Sequence, residues 1–194
     1  MLLSRTLNNL YAATIDRSKF RETAQRILVF ALPVFYWGHE RQWWGFVFVA
    51  FGLLIRAWGA GYLKKDQTMA AGGPYLFVRH PLYLGSCLLA LGLIVTLNHW
   101  LAAVLLGGAT FLTYFHTIRH EEKNLRARFG APYVTYCRQV GPLWPKRGGM
   151  KKLGRSLEKD GTSFSFKQYM KNKEYECLMG VVVVFIVLYA GGAH

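Results

Sequence analysis

The chain has 194 residues, 53% of them hydrophobic, and 24 Lys and Arg against 10 Asp and Glu, for a formal net charge of +14. So apolar a chain is not a disordered tail, and so basic an excess on it is foreign to an ordinary soluble enzyme domain. One domain accounts for the whole length and leaves no room for a separate dinucleotide-binding domain. Cys87, Cys137 and Cys177 are odd in number, widely spaced and without a CxxC pair, which excludes a disulfide scaffold.

Residues 1–26 carry Arg5, Arg17, Lys19, Arg21 and Arg26 and lack the short apolar region that precedes a cleavage site, so no signal peptide is expected. Apolar runs follow at 27–37, 43–63, 82–97, 100–118 and 177–193. Several approach the ~20 residues that cross ~30 Å of hydrocarbon. The first is short and needs Arg26 and His39 to snorkel. His39-Glu40-Arg41 and Asn98-His99 read as tight turns between antiparallel spans. The expected fold is therefore all-α, a polytopic transmembrane bundle of about five spans.

The charges test this partition independently. With the N-terminus on the cytoplasmic side, every Lys and Arg except Arg41 and Arg56 falls in a cytoplasmic segment. The basic excess is then topology, and no nucleic-acid partner is expected. The predicted organisation is a membrane core over 1–145, a basic cytoplasmic loop over 146–176 drawn to anionic headgroups, and an additional C-terminal span over 177–194 that ends outside. Within the core, 121–140 reads as an amphipathic stretch. No repeat of fixed period is present.

Three constellations stand out against the apolar background. Arg56 lies inside the run FGLLIRAWGAGYL, where a guanidinium costs ~2.5–3.5 kcal/mol on insertion scales. It either snorkels to the interface or holds an anionic group of cofactor or acceptor. The second is Gly72-Gly73-Pro74-Tyr75 followed by Arg79-His80-Pro81-Leu82-Tyr83. Pro81 suits a first helical turn, and Arg79 and His80 sit beside the positive end of that helix. The third is His116-Thr117-Ile118-Arg119-His120-Glu121-Glu122. Adjacent carboxylates at the end of a helix oppose its dipole unless the helix continues, so they call for cations.

A hairpin at Asn98-His99 places His80 opposite residue 117, with Glu121 about one turn, roughly 6 Å, further along. The expected pocket at the cytoplasmic face offers Arg79 and His80 for a carboxylate, Glu121 or Glu122 for an ammonium, and Tyr75 and Tyr83 for a planar ring. That set suits S-adenosylmethionine, whose sulfonium also favours aromatic faces. His116 and His120 at i, i+4 offer a metal alternative, set aside because the HExxH order is absent. No metal is expected.

From Arg56 through GGPY, RHPLY-x-G and EEKNLRARFG to APYVTYCRQVGPLWP, the chain resembles the isoprenylcysteine carboxyl methyltransferase and phospholipid methyltransferase family of integral membrane enzymes. The resemblance implies S-adenosylmethionine bound without a Rossmann fold and a lipophilic acceptor, prenylcysteine-like or phospholipid-like, that enters from the bilayer. It implies cofactor-contacting roles for Gln67, Tyr75, His80, Tyr83, Glu121 and Glu122, and Arg79 and Pro81, which flank His80, complete the expected cofactor-binding set. Thr117 stands where prenylcysteine enzymes carry an acceptor-binding Arg, so Arg56 and Arg119 are the candidates to present the acceptor. Family members often end soon after the Pro matching Pro145, whereas this chain continues. Two competing readings are an NADPH-dependent sterol reductase-like enzyme, suggested by the RHP element and the FG-x-x-Y-x-x-Y pattern, and a non-enzymatic membrane scaffold.

Overall fold

The computed structural model describes residues 42–64, 69–146 and 163–190. The N-terminal segment 1–26, the apolar run 27–37 and Gln67 lie outside the described residues. The described chain is helical, as expected, and no strand occurs in it beyond an isolated parallel bridge between Val78 and Gly141. We label the helices α1 (Gly45–Tyr62), α2 (Pro81–Leu97), α3 (Trp100–Phe129), α4 (Ala131–Gln139), α5 (Phe166–Lys171) and α6 (Glu174–Ala190), with a 3-10 turn at Gly73–Leu76.

Of these, α1 and α3 are long and apolar enough to cross a membrane, and α2 is a shorter apolar helix. Their outer surfaces keep large apolar groups uncovered, among them Leu54, Val104, Phe111 and Leu112. Such a surface suits contact with lipid. Trp43 and Trp44 at the start of α1, and Trp100 at the start of α3, are the most exposed aromatics of these helices. They mark one edge of the bundle, where the amphipathic indole prefers to sit. The hairpin between α2 and α3 turns at that edge: Asn98 takes a left-handed conformation (φ 46°), and the His99 ring accepts from the Leu101 N–H at 3.2 Å.

Three of the four glycines of α1 recur every seven residues, at 45, 52 and 59, and those of α2 lie at 85 and 92. They meet. A methyl group placed on Gly52 would stand 2.7 Å from the Gly85 carbonyl oxygen, and one on Gly92 would stand 2.7 Å from that of Gly45. With no side chains between them the two backbones come into direct contact, the arrangement small residues permit between membrane helices.

Two boundaries differ from the sequence reading. The fourth apolar run does not end near residue 118: α3 continues for 30 residues to Phe129, and the break comes at Gly130, whose φ of +58° suits glycine. At 1.5 Å per residue α3 is ~45 Å long, so one end projects well beyond a ~30 Å hydrocarbon core. The segment expected as one amphipathic stretch, 121–140, is thereby split between the end of α3 and α4. The basic loop likewise holds structure. Ser165 caps the short α5, accepting from the Gln168 N–H at 3.3 Å, and α6 starts at Glu174, three residues before the apolar run. Glu174 and Glu176 in the first turn favour that start, since their negative charge lies at the positive end of the helix dipole.

The α5 region closes the end of α1. Asn172 Nδ2 donates to the carbonyls of Ala60 and Leu63 at 2.8 and 2.9 Å, and the Ser165 N–H donates to Gly61 O at 3.1 Å. From there α6 runs antiparallel to α1, joined by Arg56 with Glu174 near one end and by Phe46 stacked on Phe185, 4.6 Å between centroids, near the other. Gly52→Leu and Gly85→Leu are each expected to lower the melting temperature of the detergent-solubilised protein, with an overpacking cost on the order of 1–3 kcal/mol. Gly108→Ala, where an added methyl meets nothing within 4 Å, is expected to leave it unchanged or raise it slightly. Equal melting of all three variants would contradict the backbone contact.

Candidate functional site

The site begins at a turn that only glycine permits. Gly73 has a φ of +57°, and a methyl group there would press on the Tyr62 ring at 2.7 Å. Pro74 and Tyr75 follow as one turn of 3-10 helix, both buried. The Tyr136 hydroxyl, arriving from α4, donates to the Tyr75 carbonyl at 2.6 Å. Burial pushes the Tyr75 and Tyr136 hydroxyls up from their ordinary values, so both keep their protons at neutral pH.

Residues 78–80 then run beside 141–142. The Arg79 N–H donates to Gly141 O at 2.8 Å and the His80 N–H to Pro142 O at 3.1 Å. Thus the Gly141-Pro142 segment, sixty residues on in sequence, sets the backbone from which both cationic side chains extend. Pro81 opens α2 at its first position and is fully buried; a methyl on Gly59 would touch its ring at 3.3 Å.

Opposite them, α3 carries Glu121 and Glu122 in mid-helix, where the dipole no longer opposes them. Arg79 Nη2 lies 2.8 Å from Glu122 Oε1, His80 Nε2 lies 3.4 Å from the same oxygen, and His80 Nδ1 lies 3.5 Å from Glu121 Oε2. The imidazole is buried. Burial alone would lower its pKa, but hydrogen bonding to Glu121 and Glu122 outweighs that and raises it above the ordinary histidine value. Arg79 and His80 therefore face two carboxylates, and Arg126 Nη2 approaches Glu122 Oε2 from the exposed side at 4.0 Å. The Arg79 Nε–H is buried and has no hydrogen-bond partner among the described residues, so a further acceptor would satisfy it.

The Tyr83 ring stacks on His80, 5.5 Å between centroids, and Tyr114 of α3 packs on Tyr83 at 5.2 Å. Beyond this pair lies a second polar cluster. The Tyr114 hydroxyl bonds Ser86, and Ser86 is bonded by Arg56. Arg56 gives its Nε and Nη2 to Glu174 at 3.0 and 2.8 Å, and Nη1 reaches Leu82 O at 3.4 Å.

The structure thus brings Arg79, His80, Pro81, Tyr83, Glu121 and Glu122 to one place, with Tyr75 bound into the turn behind them. Arg56 is paired with the chain's own Glu174, at the first turn of α6. Arg119 is exposed on another face of α3, its guanidinium 4.2 Å from the Phe115 ring centroid, and is not brought to either cluster. Sequence reading passed over Tyr114, Tyr136, Ser86 and Glu174. A signal for the last existed: a buried guanidinium calls for a carboxylate at its own depth, and Glu174 immediately precedes the final apolar run.

Residues 41–132 match the family model described as phospholipid methyltransferase. Over 157 residues the chain is 30% identical to the cobalt-zinc-cadmium resistance protein CzcN of Cupriavidus metallidurans, covering 74% of this chain and 69% of that protein. Over 77 residues it is 32% identical to the protein-S-isoprenylcysteine O-methyltransferase of Schizosaccharomyces pombe, covering 40% of this chain and 33% of that enzyme. No solved structure matches.

Two outcomes follow from the ion cluster. Glu122→Gln leaves the buried Arg79 guanidinium without its 2.8 Å partner and is expected to destabilise the protein by about 3 kcal/mol. Glu121→Gln, at a carboxylate that lies 3.5 Å from His80 Nδ1 and is more exposed than that of Glu122, should cost clearly less in the same thermal melts. Because the folded-state pKa of His80 is raised, its charge contributes stability that is fully present below the unfolded value, ~6.5, and is lost as pH rises through the folded value. Melting curves taken across that rise should show the wild type losing its advantage over His80→Gln with increasing pH.

Proposed function

The chain belongs to the phospholipid methyltransferase family, and on that premise we propose that it is an integral membrane enzyme using S-adenosylmethionine to methylate a lipophilic acceptor. The observation that carries the reading is the cluster in which Arg79 and His80 face Glu121 and Glu122 beside Tyr83. A zwitterion meets the cationic and the carboxylate groups of such a cluster at once, whereas a simple anion or cation meets groups of one sign only.

Arg79 and His80 would hold the carboxylate of the amino-acid portion, with the free Arg79 Nε–H as an added donor, and Glu121 and Glu122 its ammonium. Tyr75 and Tyr83 would complete the pocket. The bound cofactor supplies an electrophilic methyl group on sulfur, so the protein needs no nucleophile of its own. What remains for this chain is orientation and exclusion of water. The main-chain bonds from residues 79 and 80 to 141 and 142 fix the two cations, and Tyr83, stacked on His80 and packed against Tyr114, flanks them.

The distribution of Lys and Arg supports a multi-pass topology with the N-terminus and the cluster on the cytoplasmic side and the C-terminus outside. The acceptor is lipid-borne, prenylcysteine-like or phospholipid-like, as in the relatives' family.

Purified protein is expected to bind S-adenosylmethionine in calorimetry, and Glu121→Ala to weaken that binding by at least about tenfold, ~1.4 kcal/mol. Incubation of lipid and peptide extracts with methyl-labelled cofactor should then yield a labelled lipophilic product by mass spectrometry. Absence of binding together with absence of label would end the proposal.

A further inference from the structure

The FG-x-x-Y-x-x-Y pattern at 129–136 puts two tyrosines, Tyr133 and Tyr136, three residues apart on one face of α4. Both are buried, their ring centroids 6.1 Å apart. Their hydroxyls fare differently. Tyr136 donates to the Tyr75 carbonyl, whereas the Tyr133 hydroxyl is shielded from solvent and has no hydrogen-bond partner among the described residues. A hydroxyl in that state weakens the folded protein relative to a phenylalanine of the same shape, because the water it loses on burial is not replaced.

Its place in the fold shows what it can serve. Tyr133 packs in a cluster with Ala71, Tyr136 and Val140, bordered by Leu125 and Phe129 of α3. Leu125 and Phe129 continue the face of α3 that carries Glu122, one and two turns further on. The Tyr133 hydroxyl accordingly lies near enough to Glu122 and Arg79 to feel both charges, while the Cys137 thiol, one turn along α4, is only a weak acceptor. Burial pushes this hydroxyl up from its ordinary value, so at neutral pH it presents a proton. Arg79 brings a second unsatisfied donor: its Nη2 meets Glu122, and its buried Nε–H is left over. Two buried donors without acceptors thus stand beside the same carboxylate.

We propose that Tyr133 is a cofactor-binding residue whose O–H, together with the Arg79 Nε–H, takes up the carboxylate of S-adenosylmethionine. This rests on reading the ion cluster as the cofactor site, and it adds the group that selects for the carboxylate. A carboxylate has two oxygens and about four lone-pair sites, so it can satisfy both donors at once. Arg79, His80 and Arg126 supply the positive charge that admits a second anion beside Glu122. A ligand without the carboxylate leaves both donors unpaired again, the kind of loss by which a polar site discriminates most strongly.

The test compares the full-length protein in detergent with Tyr133→Phe and Tyr136→Phe, by thermal melts without ligand and by calorimetry with S-adenosylmethionine and its decarboxylated form. Ligand-free Tyr133→Phe should melt no lower than the wild type, while Tyr136→Phe, which gives up the 2.6 Å bond to Tyr75 O, should melt lower. Tyr133→Phe should bind S-adenosylmethionine at least about fivefold more weakly than the wild type, ~1 kcal/mol, and bind the decarboxylated form as the wild type does. Unchanged binding of S-adenosylmethionine, or equal weakening of both probes, would overturn the assignment. So would a lower melting temperature of ligand-free Tyr133→Phe, which would make the hydroxyl a structural partner. A wild type that bound neither probe would sink the methyltransferase proposal and this assignment with it, an outcome told apart from failure of Tyr133 alone, in which the wild type still binds.

Discussion

Arg79 and His80 enter the bundle where α2 begins, both nearly inaccessible to water, and neither charge is tolerable there alone. Glu122 answers both through one oxygen, and Glu121 answers the imidazole. In so poorly hydrated a place an ion pair is stable only if its partners are held in register. Much of the surrounding architecture serves that register. The extended segment 78–80 is tied to 141–142, Tyr136 is tied to the Gly-Pro-Tyr turn, and Pro81 wedges against Gly59. Break any of these and two buried cations lose alignment with two carboxylates on another helix.

The same logic recurs one layer deeper in the bundle. Arg56 sits along the face of α1 that glycines bring against α2, and its side chain crosses Gly85 to reach Ser86 and the Leu82 carbonyl. Its counter-charge, Glu174, comes from the first turn of α6, which is anchored through Asn172 to the free carbonyls at the end of α1. The two ion clusters are joined through Ser86, Tyr114 and Tyr83, so a polar path crosses the helices inside an otherwise apolar bundle. Polar groups gathered in that way within membrane segments mark function more often than stability.

Which of these features can be read without coordinates depends on the range over which they act. Helix starts at Pro81 and Trp100 and the turn at Asn98-His99 are local, set by proline, a left-handed asparagine and a capping histidine within a few residues. The facing of Arg79 and His80 toward Glu121 and Glu122 follows from that turn and the 1.5 Å rise of a helix. The end of α3 is different. Residues 119–129 are charged and look like the start of a surface segment, yet the helix continues because its dipole and its partners across the bundle reward continuity more than the change of polarity penalises it.

By itself the amino-acid sequence determined the helical class, the apolar spans, their alternation of charge and the two motifs that meet at the ion cluster, because all of these are periodicities or short-range signals. Only the tertiary structure decided which carboxylate neutralises Arg56, that Arg119 turns away over Phe115, and that Tyr136 and Gly141 hold the turn and strand segment in place. Arg56 with Glu174, Tyr75 with Tyr136 and Arg79 with Gly141 are pairings between residues sixty to more than a hundred positions apart. Nothing along a chain identifies such a partner; it is selected when helices pack and each buried charge must find the nearest group able to compensate it.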